Sequence, residues 1–124
     1  MPMIYAVNTS RTILIVEDNA AIAEMMKTLL ELENYRVITA RDGQQGIDAL
    51  RRAKPDLIIL DMMMPGVNGW HFLDFQRGDT SFAKIPVIVV SAFGEIAKSV
   101  RPDAYLPKPL KLEHLLETVQ RYSA

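Results

Sequence analysis

Apolar residues gather in four short runs and a weaker fifth, at 12–16, 36–39, 57–60, 87–90 and 104–106. The first, third and fourth are nearly continuous in Ile, Leu and Val. Such runs suit strands covered on both faces, as in a parallel sheet. Between them the spacing turns helical. Ile22, Met25, Met26, Leu29 and Leu32 form one apolar face behind Asn19, whose side chain can accept from the free N–H groups of a helix start. Ile47 and Leu50 mark a second helix, ended by Pro55. Trp70, Phe72, Leu73 and Phe75 mark a third behind Asn68, and Leu112, Leu115, Leu116 and Val119 a last one after Pro109. The stretch 95–100 leaves room for only a short or irregular fourth helix before Pro102. Met25, Met26 and Trp70 are expected in the core.

Asp42-Gly43 and Asn68-Gly69 each lead into a helical pattern, so neither closes a hairpin. Strand and helix alternate five times. That alternation predicts right-handed crossovers and an open, doubly wound parallel sheet with helices on both faces. Residues 1–10 are expected as a short extension, and 11–124 as one domain.

Composition narrows the function. Of 124 residues, 49% are hydrophobic and 23% charged, which fits a globular chain. Fourteen Lys and Arg against fifteen Asp and Glu leave no basic excess to collect phosphates, which argues against direct nucleic-acid binding. No apolar run reaches membrane-spanning length, and no basic amphipathic stretch suggests a membrane surface. The absence of cysteine removes thiolate metal sites, cysteine nucleophiles and disulfides together. A soluble cytoplasmic protein is expected.

In open α/β sheets, ligands gather beyond the carboxyl ends of the strands. The residues that follow the runs there are Glu17 and Asp18, then Asp61, Ser91 and Lys108. Three converging carboxylates repel one another unless a cation sits among them, and hard oxygen ligands with room for water suit Mg²⁺, with Mn²⁺ as the alternative. Each residue taken singly has a plainer reading. Glu17-Asp18-Asn19 can simply cap a helix, Asp61 can be a turn acid, and Lys108 between two prolines can be a solvated loop lysine. Their conjunction at consecutive strand ends is what points to a site. His71 and His114 lie in helical segments without metal-ligand spacing and read as structural or surface residues. No glycine-rich fingerprint follows the first run, which excludes dinucleotide and Walker-type phosphate binding. Met62, Met63 and Met64 read as loop packing rather than a metal site.

With these motifs in place, the sequence resembles the receiver domain of two-component response regulators. The matching stretches are Ile13-Leu14-Ile15-Val16-Glu17-Asp18-Asn19, Ala40-Arg41-Asp42-Gly43, Pro55 through Asp61 into Met64-Pro65-Gly66, Val87 through Ala92, and Ala104-Tyr105-Leu106-Pro107-Lys108-Pro109. The resemblance implies a flavodoxin-like sheet of order 2-1-3-4-5 and a cis Lys108-Pro109 bond. It implies Asp61 as phosphoacceptor, and Glu17, Asp18, Asp61 and the carbonyl of Met63 as Mg²⁺ ligands. Lys108 and Ser91 would contact the phosphoryl oxygens, with Tyr105 and Ser91 as the switch pair. Met63 and Phe93, both apolar, would flank the phosphoryl site. The implied partners are a sensor histidine kinase or histidine phosphotransfer protein and a downstream output protein. The protein would be a regulator that promotes its own phosphoryl transfer, rather than a conventional enzyme. The alternative is a pseudo-receiver, a protein-interaction module that works without phosphorylation. The segment between Ser91 and Lys108 is several residues shorter than usual for the family, again implying a stunted fourth helix.

Overall fold

The computed structural model describes residues 11–62 and 69–123. The proposed extension 1–10, Met63 and Asn68 lie outside the described residues. The elements run β1 (Thr12–Val16), α1 (Ala20–Leu32), β2 (Arg36–Ala40), α2 (Gly43–Ala53), β3 (Leu57–Asp61), α3 (Gly69–Gly78), β4 (Val87–Ser91), α4 (Gly94–Ser99), β5 (Ala104–Pro107) and α5 (Leu112–Ser123). The strands form one sheet in the order β2-β1-β3-β4-β5, and every pairing is parallel.

Alternation along each strand divides the core into two layers. Leu14, Val16, Ile58, Leu60, Val87 and Val89 pack toward α2, α3 and α4, with Leu50, Phe72 and Ala97. Ile13, Ile15, Leu57, Ile59, Ile88 and Val90 face α1 and α5, where they meet Met26, Leu30, Leu115 and Val119. Continuous Ile/Leu/Val strands are therefore buried on both sides, as the sequence pattern predicts.

Local chemistry sets the helix starts. The Asn19 side chain accepts from the N–H of Ile22 at 3.0 Å, and that of Asp42 from Gln45 at 2.8 Å, each satisfying a donor left open by the first helical turn. Lys54 closes α2 in the left-handed region at φ 45°, just before Pro55, which cannot continue a helix. The fourth helix has six residues and stops before Arg101, φ 50°, and Pro102. Lys108-Pro109 is cis.

Two core expectations fail, and one residue of the apolar face expected on α1 lies outside. Trp70 is 39% exposed, and the wall of α3 that meets the sheet is Phe72 and Leu73 instead. Met25 is also exposed, and Leu32 is 73% exposed. The turn that buries Ala23, Met26 and Leu30 leaves Met25 and Leu32 on the opposite side. There they line an open apolar groove with Leu29 and Leu112. Apolar spacing wide enough for two stripes cannot by itself tell which stripe meets the sheet.

At Gly46, α2 lies close against Phe72 of α3. A Cβ there would lie 2.9 Å from two ring carbons of Phe72 and 3.2 Å from Cγ2 of Val16. Both neighbours are fully buried. Gly46→Ala is expected to destabilise the fold by about 1–3 kcal/mol, the range for overpacking a filled core. The check is a urea midpoint that falls with its m-value unchanged.

Candidate functional site

The carboxyl ends of β1, β3, β4 and β5 bring together residues far apart in sequence. Asp61 is the last residue of β3 and pairs with Val90, while Ser91 ends β4 and pairs with Pro107. Both therefore belong to the strands themselves, which fixes their backbones in the ladder. Glu17 follows β1, and its N–H donates to the Ala40 carbonyl at 2.9 Å. Lys108 follows β5, its backbone N–H donating to the Ser91 carbonyl at 3.0 Å.

Oxygens of Glu17, Asp18 and Asp61 lie within 4.8 Å of one another. Asp18 is exposed, but Glu17 and Asp61 are only 2% and 3% exposed. The Lys108 ammonium reaches Asp61 Oδ2 at 3.4 Å and stands 4.0 Å from Glu17 Oε1. One lysine thus faces two buried acids, leaving an excess of negative charge. The consequence falls on Glu17, whose carboxyl is pushed up to about 7. Burial is the main cause, and the neighbouring Asp61 adds to it. An N–H from Asn19 and the Lys108 charge oppose it only in part. That N–H binds Oε2 at 3.1 Å, whereas Oε1 is buried with no hydrogen-bond partner.

An orphaned carboxylate oxygen among three clustered acids fits a hard divalent cation. Such an ion would supply the missing partner and the missing positive charge, with Glu17, Asp18 and Asp61 holding it.

The serine side of the site is built differently. The N–H of Phe93 donates to Ser91 Oγ at 2.9 Å, and the hydroxyl points weakly at the Phe93 carbonyl, 3.4 Å away. The oxygen is anchored while the proton remains easily redirected. The Tyr105 hydroxyl donates to the Ser91 carbonyl at 3.2 Å. Phe93 is 54% exposed beside this pair. Glu17, Asp18, Asp61, Ser91 and Lys108, the strand-end residues singled out from the sequence, thus lie at one sheet edge. His71 and His114 lie on exposed helix surfaces, away from the acidic cluster.

Two contributors escaped sequence reasoning. The Phe93 N–H that anchors Ser91 and the Asn19 N–H that holds Glu17 are backbone groups in turns. No side-chain signal in the sequence marks them.

Comparison with known proteins follows the same lines. The family model described as "Response regulator receiver domain" matches residues 13–120. The polar-differentiation response regulator DivK of Brucella anthropi is 32% identical over 117 residues, covering 90% of this chain and 95% of that protein. The receiver domain of a signal transduction histidine kinase from Syntrophus aciditrophicus superposes with a TM-score of 0.84 at 31% identity, over 92% of this chain and 90% of that one. The receiver domain of sensor histidine kinase PA1611 from Pseudomonas aeruginosa gives 0.84 at 26% identity, over 92% and 98%, and holds a magnesium ion in its active site cleft. Among the described residues, no helix is long and apolar enough to cross a membrane.

Proposed function

The chain belongs to the response regulator receiver family, and on that premise we propose that Asp61 accepts a phosphoryl group from a kinase phosphohistidine, with Mg²⁺ bound at the adjoining acids. The observation that carries this reading is the pairing of Asp61 with Lys108 beside a Glu17 oxygen that has no hydrogen-bond partner.

Each residue has a definable task. An Asp61 carboxylate oxygen attacks phosphorus as the bond to the donor imidazole nitrogen breaks, giving an acyl phosphate on Asp61. The Lys108 ammonium, already 3.4 Å from that carboxylate, turns to an oxygen of the arriving group and offsets its charge. The Ser91 hydroxyl, its oxygen held by Phe93, swings its proton from the Phe93 carbonyl to the phosphoryl oxygen. Glu17, Asp18 and Asp61 would hold the cation, with the carbonyl of Met63 as the further ligand that the family resemblance implies, and the ion would supply charge neutralisation for the phosphoryl oxygens. This is catalysis by positioning and charge, as phosphoryl transfer generally requires.

Phosphorylation adds charge at a site tied through Ser91 to Tyr105 and β5, so a local event can alter a protein-binding surface. The partners would be a sensor histidine kinase or histidine phosphotransfer protein on one side and an output protein on the other. A cytoplasmic setting accords with both, and the receiver would begin at about residue 11. The pseudo-receiver alternative leaves the site without a reason. A binding module has no need to bury two acids, one with an unsatisfied oxygen, and such burial is costly.

The test is intact-protein mass after incubation with acetyl phosphate. One phosphoryl group added with Mg²⁺ and none with EDTA is the expected result. Equal labelling in EDTA would refute a metal-dependent acceptor. No labelling, together with no change in the amide spectrum on adding beryllofluoride and Mg²⁺, would favour the pseudo-receiver.

A further inference from the structure

The carbonyl of Ser91 is a junction. It accepts the backbone N–H of Lys108 at 3.0 Å and the hydroxyl of Tyr105 at 3.2 Å. A shift of the Tyr105 ring is therefore felt at both Ser91 and Lys108. What holds the ring there lies across from it, in the first turn of α4. A Cβ on Gly94 would stand 3.4 Å from the Tyr105 hydroxyl oxygen and 3.7 and 3.8 Å from Cε2 and Cζ. The backbone of Gly94 is outside the left-handed region, so its conformation does not call for glycine. Helix propensity argues against glycine as well, at a cost of up to about 1 kcal/mol relative to alanine. α4 is already short, and its N-cap residue Phe93 makes no side-chain cap bond. A Cβ here would meet the phenol at ordinary contact distance, so the space beside the ring takes a methyl group and little more.

We infer that Gly94 is a positioning residue for the switch: a residue no larger than alanine at this place leaves the Tyr105 ring where it lies, and this keeps the Tyr105 hydroxyl on the Ser91 carbonyl. A methyl group fits at ordinary contact. A branched or longer side chain does not, and the ring must leave, breaking the bond. The inference deepens the reading of Asp61 as phosphoacceptor, because Ser91 and Lys108 matter there through their contacts with the phosphoryl group.

The test compares amide spectra of Gly94→Ala, Gly94→Val, Tyr105→Phe and the Gly94→Val/Tyr105→Phe double variant. The reporters are the amides of Ala92, in the same peptide unit as the Ser91 carbonyl, and Lys108, which shares that acceptor. Tyr105→Phe is expected to move both. Gly94→Val should move them in the same direction and to a similar extent, the double variant should add nothing, and Gly94→Ala should leave them in place. Gly94→Leu serves as a second variant should the valine fail to fold. Independent addition of the two shifts, or equal shifts in Gly94→Ala and Gly94→Val, would overturn the inference. Acetyl phosphate labelling of the same variants separates the role of Gly94 from that of Asp61. Gly94→Val should still be labelled at Asp61. Failure of the wild type to label would count against the acceptor reading, while the shift pattern would still decide the role of Gly94.

Discussion

Asp61→Asn is expected to keep its intact mass after incubation with acetyl phosphate and Mg²⁺, under conditions in which the wild type gains one phosphoryl group. The amide oxygen is far less nucleophilic than the carboxylate, and of the two buried acids that face Lys108, Asp61 is the nearer, at 3.4 Å against 4.0 Å for Glu17. Asp18 is exposed, and with Mg²⁺ bound Glu17 would serve as a ligand of the cation. The substitution should not unfold the protein. It removes the 3.4 Å ion pair with Lys108, but it also removes the charge that Asp61 sets against Glu17. These effects oppose each other, and the net change in stability is expected within about 1–2 kcal/mol. A melting curve measured beside the mass spectrum therefore distinguishes loss of the acceptor from loss of the fold. Labelling of Asp61→Asn at the wild-type level would move the acceptor elsewhere.

Glu17→Gln should have opposite effects on stability and on metal response. The carboxyl of Glu17 rises from its ordinary value of 4.5 to about 7 in the fold. Between those values the native state holds more proton than the unfolded chain, so its stability falls as pH rises. The contribution is complete below about 4.5 and lost on passing about 7, on the order of 3 kcal/mol in all. Glutamine carries no charge to bury. Its amide can still accept the Asn19 N–H and can donate toward Asp61. Without metal at pH 8, Glu17→Gln should therefore melt above the wild type, by roughly 5–10 °C for a domain of this size. With Mg²⁺ at a hundredfold excess over its Kd, the wild type gains about 2.7 kcal/mol. The variant, with a ligand charge removed, should gain little. The order of the two melting curves is thus expected to reverse on adding Mg²⁺. A variant that is less stable than the wild type without metal at pH 8, or equal stabilisation of both by Mg²⁺, would refute the account of Glu17.

Two features at the site depend on each other. The site is poised because its charges do not balance, and the fold tolerates the imbalance because both β-sheet layers are well packed. Val16 and Leu60, the residues just before Glu17 and Asp61 in the chain, are fully buried. A rigid floor holds like charges close without letting them spread apart. That is the form electrostatic preorganisation takes at a site whose ligand brings the compensating charge.

Much of this was written in the sequence. Near-continuous Ile/Leu/Val runs required cover on both faces, and strands alternating with helices required parallel crossovers, so the doubly wound architecture followed from local pattern. Asn19 was legible as a cap because it precedes an apolar helical period. The identities at the strand ends marked Glu17, Asp18, Asp61, Ser91 and Lys108, because a parallel sheet places all such positions on one edge. The strand order came only through the family resemblance. Tertiary structure decided the remainder. Which stripe of α1 meets the sheet depends on how the helix is rolled, and that left Met25 and Leu32 outside; Trp70 was likewise turned out in favour of Phe72. The 3.4 Å approach of Lys108 to Asp61 spans 47 residues, and the charge imbalance that raises Glu17 exists only once those side chains are buried together. The same holds for the Ser91 carbonyl that Tyr105 and Lys108 share, and for the space at Gly94. Sequence spacing reports periodicity along one element, whereas distances between elements arise when the sheet closes its two cores.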